Sequence, residues 1–234
     1  MNYGKLYLIP TPISGTNFKE SLVKEDIKIV SELKHFIVET PKVARQFLSS
    51  IDLEFPIQEI EMKIFDEHSD KENLQELLQP ILLGNDMGLM TDAGTPCIAD
   101  PGEEIVLMCH KLGIETIPMI GPSSIFLTLM ASGLNAERFA FSGYLPKKPK
   151  QRQNEINKLV GKVLSNGTSQ IFIEAPYRNQ AMFDNLLQIE EDIYLCLGIR
   201  IGSKNQEILT MPISEWRKQN KKLEKVPIIY IIGR

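Results

Sequence analysis

The chain has 234 residues, 43% hydrophobic and 24% charged, enough for a sizeable core in one large domain or two small ones. A net charge of -4 excludes a surface that attracts nucleic acid as a whole, so any RNA contact needs a local basic patch. No apolar run approaches the roughly 20 residues of a membrane span, no basic leader precedes the first strand, and Cys97, Cys109 and Cys196 form no close pair. The expectation is a cytoplasmic protein with no membrane or DNA partner, no disulfide framework and no metal motif.

Lys5 to Ile9 reads as a buried strand stopped by Pro10-Thr11-Pro12, and Phe36 to Val38 as a second strand. Lys42 to Leu48 has a helical apolar face. Lys71 to Leu83 is a stronger helix, with Leu74, Leu77, Leu78 and Ile81 at three- and four-residue spacing and Gly84 after it. Met87 to Met90 gives a strand, then the small-residue turn Thr91 to Pro96. The next helix runs through Ile105, Val106, Met108 and Cys109 to Gly113, with Asp100 expected as N-cap, Pro101 at the first position and Glu103 at the third. Ile114 to Ile120 is another strand. This alternation predicts a largely parallel sheet.

Gly121-Pro122-Ser123-Ser124 opens an apolar helix, Ile125 to Ala131, and marks the expected boundary between domains 1–120 and 121–234. Arg138 to Gly143 is a strand, and Lys147 to Arg152 a basic link into the helix Glu155 to Leu164. Gln170 to Ile173 is a strand, followed by a helix through Met182, Leu186 and Leu187. Ile193 to Leu197, Gln206 to Thr210 and Pro227 to Ile232 close the chain as strands. Neighbours here can pair antiparallel, so this half reads as α+β with a mixed sheet.

No phosphate-binding glycine pattern follows the first strand. Prolines lack the N–H that a phosphate cradle uses, so the ligand is not expected to be held by a pyrophosphate. The turn at Asp92-Ala93-Gly94 combines close backbone approach with one carboxylate, which suits a ligand and equally suits a plain turn. Gly121 to Ser124 offers two hydroxyls and helix-start N–H groups, or an ordinary N-cap. Lys147 to Arg152 is a solvated linker or a small patch for an anionic substrate. His35, His68 and His110 lie far apart and suggest neither a metal site nor a catalytic base.

Taken in order, Gly4 to Ile13, Thr91 to Gly102, Gly121 to Ser124, Ala131 to Leu134, Arg138 to Pro146 and Ile171 to Arg178 resemble the tetrapyrrole-methylase superfamily of S-adenosylmethionine-dependent methyltransferases. Within it the chain is most similar to the 16S rRNA (cytidine-2′-O)-methyltransferase branch. The resemblance implies two α/β domains with the cofactor in the cleft between them, S-adenosylhomocysteine as product, and a homodimer. It implies that Pro10, Asp92, Ala93, Gly94 and Cys97 line the cofactor from the first domain. Ser123, Ser124, Glu174, Gly202 and Pro227 would do so from the turn and the second domain.

The departures from that branch lie on the substrate side. Glu39-Thr40-Pro41-Lys42 replaces an acidic-aspartate-threonine-arginine motif, Arg200 to Lys204 lacks the branch's glutamate, and Lys225-Val226-Pro227 replaces lysine-glycine-glutamate. Candidates to face the substrate are Glu39, Lys42, Arg45, Glu174, Tyr177 and Arg178. Three readings stay open. One is an RNA ribose 2′-O-methyltransferase acting on the small ribosomal subunit, using Lys42, Arg45, Arg178, Arg200, Lys204 and the Lys147 run as its positive patch. Another is a methyltransferase for a tetrapyrrole or other small molecule, and the third is a cofactor-binding protein without catalysis.

Overall fold

The alternating apolar runs of the first half fold into one parallel sheet, and the runs of the second half into a mixed one. The computed structural model describes residues 3–15, 19, 22–66, 68–69 and 74–234. Contacts divide the chain into two units, Met1–Ser123 and Ser124–Arg234.

The first unit contains β1 (Leu6–Ile9), α1 (Lys24–Glu32), β2 (His35–Val38), α2 (Pro41–Leu48), β3 (Glu61–Ile64), α3 (Leu74–Leu77), α4 (Gln79–Leu82), β4 (Met87–Met90), α5 (Glu103–Leu112) and β5 (Thr116–Pro118). Its five strands run parallel in the order β3-β2-β4-β1-β5. Alternate strand residues point to opposite faces. Tyr7, Ile9, Phe36, Val38 and Met90 pack with Val30 of α1 and Phe47 and Leu48 of α2. On the other face Leu6, Ile37, Met87 and Leu89 pack with Leu74, Leu78, Ile81, Ile105 and Cys109 of α3 to α5. Strands covered on both faces explain the nearly unbroken apolar runs of the sequence.

This arrangement creates a switch point. The connection after β1 leads through α1 to β2 on one side of it, and the connection after β4 leads through α5 to β5 on the other. Open α/β sheets bind ligands outside the carboxyl ends of two such neighbouring strands. Here those ends carry Pro10-Thr11-Pro12 and Thr91 to Pro96.

The second unit contains α6 (Ser124–Ser132), β6 (Phe139–Tyr144), α7 (Pro149–Asn166), β7 (Ser169–Ile173), α8 (Asn179–Leu186), β8 (Tyr194–Ile199), β9 (Glu207–Pro212), α9 (Ile213–Trp216) and β10 (Ile228–Gly233). The sheet order is β6-β7-β10-β8-β9, with β6 and β7 parallel and the other pairs antiparallel. α7, α8 and α9 cover one face through Ile156, Val160, Phe183 and Trp216, against Phe172, Leu195, Leu197 and Tyr230. Trp216 donates its indole N–H to the Leu195 carbonyl at 2.8 Å, so this large ring is buried without an unsatisfied donor. α6 covers the other face through Ile125 and Leu129, against Ile171, Cys196 and Ile231.

Several expectations need correction. α5 is capped by Gly102 (φ 133°) with no side-chain cap, so Asp100 does not open the helix as N-cap. Helix α7 starts at Pro149, so Pro149 to Arg152 is helix rather than link, and Arg152 is buried. Its Nε donates to Asn185 Oδ1 at 2.7 Å, which lets a guanidinium sit inside the core. The helix expected from Lys71 is two short helices, α3 and α4, with Pro80 at the start of the second. Lys71 to Asn73 lie outside the described residues. The strand expected over Ile114 to Ile120 pairs only over Thr116–Pro118. The sequence reading also omitted α1, β3 and α9.

Candidate functional site

In the first unit three turns meet at the switch point. Thr11 and Gly94 exchange backbone bonds, Thr11 N–H to the Gly94 carbonyl at 2.8 Å and Gly94 N–H to the Thr11 carbonyl at 3.1 Å. The turn after β1 is thereby clipped to the turn after β4. Gly94 has φ 88°, a region that L side chains rarely adopt, and a Cβ there would meet Ile13 Cγ2 at 3.3 Å. The third turn packs against the first. A Cβ on Gly121 would lie 2.2 Å from Pro10 Cβ, so no larger residue fits. Thr95 Oγ1 donates to the Pro122 carbonyl at 3.4 Å.

A lattice of carboxylates and threonines stiffens the neighbouring strand ends. Thr40 donates from its N–H to Asp92 Oδ1 at 3.1 Å and from its hydroxyl to Asp92 Oδ2 at 2.7 Å. In return Glu39 Oε2 accepts from the Thr91 hydroxyl at 3.1 Å and the Asp92 N–H at 3.3 Å. These reciprocal bonds tie the ends of β2 and β4 together. Each Asp92 oxygen keeps a second lone pair for a ligand donor. Asp100, the residue expected to cap α5, sits in this environment. Burial pushes its carboxyl up to about 6, opposed by a hydrogen bond with Thr91 and reinforced by the charges of Glu39 and Asp92.

Beyond Gly94 the chain passes through Cys97 (φ 66°) and Ala99 (φ 65°), two left-handed residues that are not glycine. Such conformations cost about 1 kcal/mol or more each and persist only where the surroundings impose them. This strained segment walls a cavity of about 310 Å³ whose lining includes Leu8, Cys97, Ile98, Glu103, Val106 and Met119. The walls are apolar apart from Glu103 and Thr95. Burial, with Glu103 and Asp100 close by, pushes the Cys97 thiol up to about 11, so it stays neutral and is no nucleophile at neutral pH.

In the second unit the residues singled out from the sequence gather at one end of the sheet. Register aligns the end of β6 at Tyr144 with Ile173 of β7, the start of β10 with the end of β7, and Ile228 with Ile199 at the end of β8. Glu174, Tyr177, Arg178, Gly202 and Pro227 therefore emerge together. Glu174 is buried; its Oε1 pairs with the Arg178 guanidinium and accepts the Ala175 N–H at 2.7 Å. Its Oε2 and Arg178 Nε are buried without partners. Burial, with the Glu174 charge adding to it, holds the Tyr230 phenol well above its usual range. Gly202 donates its N–H to Gln206 Oε1 at 3.0 Å, and the Pro227 carbonyl accepts from the Arg200 N–H at 3.1 Å. Tyr177 is 69% exposed.

Of the other candidates, Lys42 and Arg45 stand exposed on α2, and Ser124 is the first residue of α6. Sequence reasoning missed Thr40, Thr11 and Asp100 as parts of the first site. A threonine opposite an aspartate across two strands leaves no local signal, because the pairing depends on strand order.

The residues of the first turn cluster fit a ligand held mainly by backbone. Gly94 leaves the space a side chain would fill, and the Thr11 hydroxyl is buried without a partner. Among the described residues no group of His, Cys, Asp and Glu is placed to hold a metal ion, and no helix is long and apolar enough to cross a membrane.

No family model matches the chain, so the likenesses are to individual proteins. It is 26% identical over 97% of its length to the ribosomal RNA small subunit methyltransferase I of Vibrio cholerae serotype O1, covering 76% of that protein. It is 28% identical to the protein of the same name from Halalkalibacterium halodurans, over 91% of this chain and 69% of the relative. Among solved structures, the methyltransferase CobJ superposes with a TM-score of 0.64 at 11% identity, covering 99% of this chain and 94% of that one. The uroporphyrin-III-C-methyltransferase from Thermus thermophilus superposes with a TM-score of 0.57 at 16% identity, over 98% and 92%. These two likenesses establish the fold.

Proposed function

We propose that this chain belongs to the tetrapyrrole-methylase superfamily of S-adenosylmethionine-dependent methyltransferases and methylates a ribose 2′-hydroxyl of small-subunit ribosomal RNA. The observation that carries the acceptor class is the likeness along nearly the whole chain to proteins named for that RNA. The superposed structures, one of them named for a porphyrin substrate, share the fold at 16% and 11% identity and do not favour a small-molecule acceptor.

S-adenosylmethionine, when bound, supplies a methyl group on a sulfonium, with a neutral thioether as leaving group. The work left to the protein is alignment and exclusion of water. In this reading Ala93 and Gly94 present backbone to the cofactor, Pro10 and Cys97 shape the pocket, and Asp92 offers its free lone pairs. Glu39 braces Asp92 through Oε2, which accepts from Thr91 and the Asp92 N–H, and its other oxygen keeps it a candidate to face the substrate. Ser123, Ser124, Glu174, Gly202 and Pro227 complete the cofactor set. The reading includes a homodimer and a cytoplasmic location.

The test is transfer of labelled methyl from S-adenosylmethionine to 30S subunits purified from a strain that lacks this gene. Label in the small-subunit RNA, at a ribose, is the expected outcome. Tight cofactor binding with no label in that RNA rejects the acceptor.

A further inference from the structure

β6 and β7 are parallel neighbours with Tyr144 opposite Ile173, so the segments that follow them leave the sheet at the same end. After β7 comes Tyr177, a large ring 69% exposed. It is held in place from below. The Arg178 guanidinium lies 5.6 Å from the ring centroid, and Arg178 is itself paired to buried Glu174. After β6 come Lys147, Lys148 and Lys150, all exposed. Lys148 caps α7 and Lys150 lies in its first turn, which holds no acidic residue. Cations there oppose the helix macrodipole, so helix stability does not account for them. Arg152, buried in the same turn, reaches the Lys147 carbonyl at 3.4 Å and Asn185 of α8 at 2.7 Å. It ties the lysine turn to the last turn of α8, the helix whose first turn follows Tyr177 and Arg178.

We propose that this end of the second sheet is a docking face for single-stranded RNA, with Tyr177 stacking an unpaired base and Lys147, Lys148 and Lys150 contacting phosphates. The inference rests on the RNA reading above and deepens it. Unpaired bases expose the π-face that an aromatic ring takes, whereas an RNA duplex hides it in the stack. The local positive charge is the kind of patch that a chain of net charge -4 needs in order to hold a polyanion.

The test uses the full chain. Fluorescence anisotropy measures binding of a labelled single-stranded RNA oligonucleotide and of its duplex, and methyl transfer to unmodified 30S subunits gives KM. Tyr177→Leu should weaken oligonucleotide binding and raise KM by about 5- to 100-fold, with Tyr177→Phe restoring most of it, as expected for stacking. Replacing Lys147, Lys148 and Lys150 together by Gln should reduce the slope of log affinity against log salt by about 2 for a single strand. Affinity for S-adenosylmethionine should be unchanged in every variant. Wild-type affinity and salt slope in both sets of variants, or equal binding of duplex, overturns the proposal. If the salt and stacking effects appear while 30S subunits take no methyl, the docking face stands and the ribosomal acceptor falls. If methyl transfer occurs and no variant changes binding, the acceptor stands and the docking face falls.

Discussion

At the carboxyl ends of β1 and β4 the chain is held by its own backbone, through the Thr11–Gly94 bonds and the seat of Gly121 on Pro10. At the carboxyl ends of β6 and β7 it is held by a buried ion pair, Glu174 with Arg178, and leaves an aromatic ring and lysines in solvent. Turns fixed by backbone bonds and special φ angles suit a ligand whose atoms must be placed closely, as an in-line methyl transfer demands. A face of exposed cations and one braced ring suits a large, flexible polyanion, where charge matters more than placement. In the proposed reading the first end grips the donor and the exposed ring and lysines of the second meet the acceptor, while Glu174, Gly202 and Pro227 of that second end also serve the cofactor.

The comparison breaks most easily at Glu174. Its side chain is fully buried and that of Arg178 only 14% exposed, so removing one partner strands the other. Glu174→Leu should lower unfolding free energy by about 3–5 kcal/mol in urea titration. Replacing both residues by leucine should recover most of that, because the cost comes from the stranded charge. A loss below about 1 kcal/mol in the single variant would show that the pair contributes little and that Tyr177 lacks its brace.

The backbone-built end has a smaller predicted stability effect and a larger functional one. Gly94→Val places a β-branched residue at φ 88°, with its Cβ 3.3 Å from Ile13 Cγ2. The expected cost is about 2 kcal/mol of stability. S-adenosylmethionine affinity by calorimetry should fall by much more than that strain alone implies, at least about tenfold. Unchanged affinity in a folded variant would remove this turn from the cofactor site.

How much of this the sequence revealed follows from how local each feature is. The inner strands of the first sheet, β1, β2 and β4, were legible because both of their faces are buried, and unbroken runs such as Leu6 to Ile9 carry no ambiguity of face, whereas β3 at the edge, with no buried residue, left no such run. The Asp92 turn was legible because its small residues lie consecutively. α1 was missed because its mean hydropathy is low and it buries only Val30 and Ser31. The Asp100 cap failed for a different reason. Asp-Pro-Gly-Glu is a strong local signal for a helix start, but the acid is drawn instead beside Thr91, Glu39 and Asp92, a tertiary environment that no nearby residue announces. The Glu174–Arg178 pair is four residues apart in the chain, yet its burial is set by tertiary packing. Spacing alone could not tell a surface pair from this one.

Asp100 also supplies the smallest of the predicted effects. Its carboxyl is pushed up to about 6 from a reference of 3.8, chiefly by burial. Between those values the folded chain holds a proton that the unfolded chain has released, so stability falls as pH rises through the window. Above about 6 the ionised group carries the full penalty, and below the unfolded value it carries none. The side chain is only partly buried, so solvent screening reduces the penalty to about 1 kcal/mol. Asp100→Asn keeps a polar side chain of the same shape beside Thr91 and abolishes the charge. It should therefore be more stable than the parent by about 1 kcal/mol near pH 7.5 and equal to it near pH 4, in paired urea titrations. If the gap appears instead at low pH, the carboxylate is stabilised by its neighbours, and the acidic lattice around Asp92 has a cation-like partner not accounted for by Thr91 and Thr40. If the gap has the expected sign, the turn holds an ionised carboxylate at a cost to its own fold. That cost is intelligible at a ligand site, where a stability-optimised loop would have replaced the acid.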